Sequence, residues 1–128
     1  MRSTSILLIC FAFVLLSVTS CYYDVEEELY PVNTCDTANV LYSNQVSLIL
    51  KNECLNCHNS NNAPFIGGGV VLEGYANLKL QVDNGKLVSS ITHDGNASFM
   101  PESANNTKLP DCDIAQITAW VNAGAPNN

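Results

Sequence analysis

Residues 51–60 read KNECLNCHNS, with Cys54 and Cys57 three apart and His58 directly after the second. Three chemistries share that spacing. A structural zinc site takes four ligands, commonly from two such pairs. Only one pair is present here, and His93 with a single remaining cysteine makes an odd completion. A thioredoxin-like redox pair sits at a helix N-terminus, after a strand and within a βαβ setting. Here a helical pattern precedes the motif and the strand pattern is missing. Covalent haem attachment accounts for the histidine as well: two thiols join two vinyl groups, and the adjacent His58 reaches the iron from the proximal side. Haem is the reading that uses every residue of the motif; zinc and redox chemistry are its alternatives.

Outward toward the N-terminus, Met1 and Arg2 give a short basic start, followed by the apolar run ILLICFAFVLLSV over residues 6–18. That run has the length of a signal-peptide core and is short for a membrane span. SVTSC follows, with small Ser20 before Cys21 and branched Val18 three before it, and it resembles the bacterial lipobox. The resemblance implies a signal peptide over residues 1–20, cleavage before Cys21 and lipid on that cysteine. Ordinary secretory cleavage with Cys21 free, or an uncleaved anchor, are the alternatives, and all three export the chain. Residues 21–38 then read as an acidic tether with Pro31 and no sustained period, and residues 39–128 as one domain.

From Cys21 onward, twelve acidic residues face only Lys51, Lys79, Lys86 and Lys108, a formal charge of −8. Such a balance argues against nucleic acid, whose phosphates need cations. It suits a protein partner with a basic docking face, or simply solubility. A domain this small buries a limited core, so a covalent staple or a large apolar cofactor would help it fold.

Within the domain, residues 43–53 predict a helix that runs into Cys54. Ser43 or Asn44 can cap it, and Val46, Ile49 and Leu50 share one face. Residues 59–69, NSNNAPFIGGG, read as loop, and the three glycines suit close approach of backbone to a bulky ligand. A Gly-rich phosphate loop fits poorly, because no lysine follows. A short extended piece and then a helical turn around Ala76–Val82 are expected next. Residues 85–92 predict a short helix with Leu87, Val88 and Ile91 on one face, and residues 93–110 a loop. The last helix has Asp111 or Asp113 as N-cap, Ile114, Ile117, Trp120 and Val121 on one face, Gly124 just past its end and Pro126 as a stop. The total is an all-α chain of about four short helices with long loops.

An iron held by His58 needs a ligand on its other face. Met100, in NASFMPE, is the one methionine beyond the signal segment, and Pro101 stiffens the loop that presents it. A lone methionine is otherwise core filler. His93, seven residues earlier, is the rival; bis-His iron has a lower potential than Met/His iron. Its alternative role is a histidine beside the haem edge or in solvent. Cys35 and Cys112 remain. Cys35 precedes the first helix and Cys112 opens the last, so packing of those helices would let the thiols meet. Two free thiols are the alternative, less suited to an oxidising compartment.

Four stretches, ILKNECLNCHN, GGGVVLEGYANL, LVSSITHDGNASFMPE and KLPDCDIAQITAWVNAGAP, together resemble a small c-type cytochrome, more narrowly the planctomycete-type cytochrome c domain. The resemblance spans about residues 40–126. It implies a class I-like cytochrome c fold wrapped around one covalent haem c on Cys54 and Cys57, with His58 as proximal and Met100 as distal iron ligand. MPE lacks the second proline common after the ligand methionine in that family. The function so implied is electron transfer by a lipid-anchored carrier in the bacterial cell envelope, serving redox partner proteins, rather than an enzyme. A haem enzyme or gas sensor with a labile distal ligand is the second reading. A zinc- or disulfide-holding lipoprotein is the third.

Overall fold

The computed structural model describes residues 35–102 and 105–128. The signal segment, the lipidation site Cys21 and the tether up to residue 34 lie outside the described residues. The compact unit spans Cys35–Asn128. Its described residues form helices and loops and contain no strand, so the domain is all-α.

A continuous helical stretch, α1, covers residues 42–58. It alternates wider π turns at Tyr42–Val46 and Leu50–Cys54 with α turns at Ser47–Ile49 and Leu55–His58. Its expected face is the buried one: Val46, Ile49 and Leu50 all enter the core. The helix continues through the cysteine motif instead of stopping at Cys54. Its start also differs from expectation. Leu41 is the N-cap and no side chain of Ser43 or Asn44 caps it. The free N–H groups of Tyr42 and Ser43 donate to Asn128 instead, to Oδ1 at 2.8 Å and to the backbone oxygen at 2.9 Å. These donors would otherwise stay unpaired, and a residue 86 positions away supplies the acceptor.

The expected loop over 59–69 contains one helical turn, α2 (Ala63–Ile66). Pro64 sits in its first turn, where a missing N–H costs nothing. Residues 70–73 follow as irregular chain. Next come α3 (Tyr75–Asp83) and α4 (Lys86–Thr92), joined by a turn in which Gly85 takes φ +73°. On α4, Leu87 and Ile91 are buried as expected, whereas Val88 is half-buried and Ser89 takes the interior place. Ser89 can be buried because its hydroxyl donates to the Asp94 carboxylate.

The last helix, α5 (Asp111–Asn122), begins after Pro110, so Asp111 and Asp113 lie inside its first turn and make no side-chain cap. They still favour the positive end of the helix dipole. Its exit is a Schellman turn: Gly124, at φ +92°, donates to Val121 O, and Ala125 donates to Trp120 O, both at 2.9 Å. Trp120 is the largest fully buried side chain. Its indole N–H donates to Pro126 O, its ring stacks on Tyr42 of α1 at 5.9 Å, and Tyr42 meets Tyr75 of α3 edge-on at 5.2 Å. These aromatics join the first, third and last helices, and such pairs contribute beyond their buried area.

Because α1 and α5 pack, Cys35 reaches Cys112: the two form a disulfide with Cα atoms 5.3 Å apart. Residues 35–38, grouped with the tether in the sequence reading, are held to the domain by this bond. Gln116 adds a hydrogen bond to Asp36 O.

Candidate functional site

Asn59 ends α1 by leaving helical geometry at ψ 166°. Its side chain then organises the reversal. The amide N–H₂ donates to Leu55 O, and Oδ1 accepts the N–H groups of Asn61 and Asn62. Asn62 in turn donates to Asn56 O. The string NSNN thus acts as a local clamp that folds the chain back over the end of the motif helix. Ser60 adds a second tie, donating its N–H and hydroxyl to Glu73. These bonds, the hydroxyl first, hold the Glu73 carboxyl below its usual pKa.

The returning segment grips His58 twice. Leu72 N–H donates to His58 O at 2.9 Å, and His58 Nδ1 lies 2.9 Å from Val70 O. A carbonyl oxygen only accepts, so Nδ1 carries the proton and Nε2 keeps its lone pair. An imidazole oriented through its other nitrogen in this way is the usual arrangement of a metal-binding histidine.

Gly67 passes close beneath the motif. A β-carbon there would lie 2.6 Å from Cys57 O, 2.8 Å from Ala63 Cα and 3.1 Å from His58 Nδ1. Two of these neighbours are backbone and cannot swing aside. Gly67→Ala should therefore cost about 1–3 kcal/mol of stability through overpacking and displace the His58 imidazole. Gly68→Ala meets nothing within 4 Å and should cost about 1 kcal/mol from its left-handed φ alone. Denaturant midpoints of the two variants check the difference; equal shifts would contradict the close approach. The sequence reading tied these glycines to a ligand, but at Gly67 the constraint comes from the motif's own backbone.

Cys54, Cys57, His58 and Met100 all line one cleft of about 850 Å³. Its volume lies within the roughly 300–1,000 Å³ usual for cofactor and ligand sites. The motif residues and Gly67, Leu87 and Ile91 of α4, and the 96–102 loop that carries Met100 all contribute to its lining. Both cysteines are free thiols. Burial, with the neighbouring Glu53 charge, pushes the Cys54 thiol up to about 11. A redox Cys-x-x-Cys pair needs the reverse, a thiol lowered by a helix N-terminus. Here the pair sits at the C-terminal end of α1.

Among the described residues, no three His, Cys, Asp or Glu side chains gather as a metal-holding group, as a zinc site of that kind requires. A haem iron asks less of the chain, since the porphyrin itself supplies four nitrogens. One free imidazole nitrogen, one thioether and two free thiols lining one cleft fit that group.

His93 does not line the cleft. Its ring stacks on Phe99 at 4.6 Å and 10°, and Nε2 lies 3.0 Å from Met100 O. The sequence reading did not foresee Val70 or this role for His93. Val70 contributes only a carbonyl, which leaves no side-chain signature.

Among the described residues no helix is long and apolar enough to cross a membrane. In comparisons with protein-family models, curated proteins and solved structures, none matches the chain.

Proposed function

We propose that this chain is a monohaem c-type cytochrome that carries single electrons, exported and held at the bacterial cell envelope by lipid on Cys21. Cys54 and Cys57 bind haem c covalently, His58 is the proximal iron ligand and Met100 the distal one. The carrying observation is the single cleft that gathers these four residues, with His58 already oriented by Val70 O so that Nε2 is free. The helical, loop-rich unit is compatible with a class I-like cytochrome c fold around one haem.

Haem bound there supplies a one-electron Fe(III)/Fe(II) couple. The chain's own contribution is to hold and shield it. Val70 O keeps the imidazole proton on Nδ1 and makes Nε2 the better donor. Leu72, Leu87, Ile91 and Leu109 present apolar surface to the cleft, which excludes water. Met100, on the same cleft as His58, would hold the iron as its second protein ligand and leave it no site for a substrate, which fits a carrier better than an enzyme. A thioether there raises the potential relative to a second histidine. The −8 charge beyond the signal segment would steer encounter with a basic face on a redox partner, with rates that fall as salt rises.

The test is the full chain expressed with export and haem-attachment machinery. The expected protein is coloured, stains for haem on a denaturing gel, and shows the sulfur–iron charge-transfer band when ferric. A colourless protein would favour the zinc or disulfide lipoprotein. Ready carbon monoxide binding by the untreated ferrous form would favour the enzyme or sensor.

A further inference from the structure

We infer that His93 is a positioning residue for Met100: it locks the peptide that presents the thioether and does not itself bind iron. This rests on the assignment of Met100 as distal ligand. Both polar backbone groups of Met100 are held by the last turn of α4. Its N–H donates to Ser90 O at 3.0 Å, and its carbonyl faces His93 Nε2 at 3.0 Å. Since the carbonyl only accepts, Nε2 carries the proton and donates. The nitrogen best placed toward the Met100 loop is thus occupied in holding Met100.

The backbone at His93 agrees with such a role. His93 is the C-cap of α4 in the left-handed region, at φ 58° and ψ 43°. Glycine or asparagine usually takes that conformation, because a β-carbon there is strained. A residue with a β-carbon in that conformation is compatible with a side chain held by specific contacts. The ring lies nearly parallel to Phe99, the residue directly before Met100. One side chain therefore grips two consecutive residues of the loop, by stacking and by hydrogen bond. Asp94 closes the turn, accepting from the Ser89 hydroxyl and from Asn96 N–H.

The experiment uses the haem-loaded full chain, with imidazole as a competing sixth ligand for the ferric protein. Wild type should show the sulfur–iron band and bind imidazole weakly. His93→Phe keeps a ring for stacking and loses the donor. It should bind imidazole roughly fivefold more tightly, the factor set by one net hydrogen bond, and its band should weaken. His93→Gln keeps an N–H donor and should recover part of the difference. A role confined to general stability would lower the denaturant midpoint of His93→Phe and leave imidazole affinity and band unchanged, which would overturn the inference. A wild-type protein without the band would overturn the Met100 assignment and this inference with it. If that protein also turned high-spin in His93→Phe, His93 would be the ligand. Should His93→Phe not fold, His93→Asn decides: asparagine tolerates the left-handed backbone, its side chain is too short to replace the imidazole N–H at Met100 O, and an imidazole affinity equal to wild type would overturn the inference.

Discussion

Replacing Cys54 and Cys57 together with serine should give an exported protein that carries no haem through denaturing electrophoresis. Each serine retains the shape of the side chain and removes the thiol, so the loss is one of chemistry rather than of packing. Neither cysteine belongs to the fully buried core, and both line the cleft. The disulfide joins a different pair, so the fold should persist, checked by far-ultraviolet circular dichroism. Each single variant keeps one thiol and should retain haem at lower yield. His58 and Met100 remain in the double variant, so added haem should still bind, but should dissociate in denaturant. A double variant that stained like wild type would rule out attachment at these two positions.

Loss of the Cys35–Cys112 bridge should be the largest stability effect. The bond spans 77 positions. In the chain-entropy model, opening a loop of that size costs on the order of 4 kcal/mol. Cys112 is held by the packed helix α5, whereas on the Cys35 side Gln116 to Asp36 O is an exposed hydrogen bond. The double variant Cys35→Ser/Cys112→Ser is the proper comparison, since a lone thiol could compete with the motif cysteines during haem attachment. Its denaturant midpoint should fall far below that of wild type, with a somewhat steeper slope because the unlinked unfolded chain exposes more surface. Thioethers resist thiol reductants, so dithiothreitol on the wild-type holoprotein should reproduce the shift without releasing haem. A loss under about 1 kcal/mol, well short of the usual 2–5 kcal/mol, would mean that the helices hold the ends together unaided.

Parts of the fold were legible for reasons that are local. Val46, Ile49 and Leu50 recur at helical spacing, and they are buried together. Gly124 stood where a helix reverses, and it takes the left-handed conformation that a Schellman turn requires. The cysteine motif narrows the chemistry to three candidates by its spacing and leaves the choice among them to its surroundings. Errors occurred where a neighbour distant in sequence intervened. Ser43 and Asn44 were plausible caps, but Asn128 supplies the acceptors at the start of α1. The 59–69 segment is a local exception: it held enough Asn, Pro and Gly to read as pure loop, yet its asparagines bond back to α1 four and six residues earlier and set up α2.

The amino-acid sequence by itself determined the helical periodicities, the candidate donors and the Cys54/Cys57 spacing, because each depends on residue type and short-range spacing. Tertiary structure alone decided how those donors point. His58 Nε2 is free because the Val70 carbonyl, twelve residues on, accepts the hydrogen bond from Nδ1–H. Met100 faces the cleft that His58 lines because α4 holds its peptide at Ser90 and His93. Gly67 is required because α1 ends against it. Hydrogen-bond direction and close approach are properties of pairs brought together by folding, and no spacing rule along the chain encodes them.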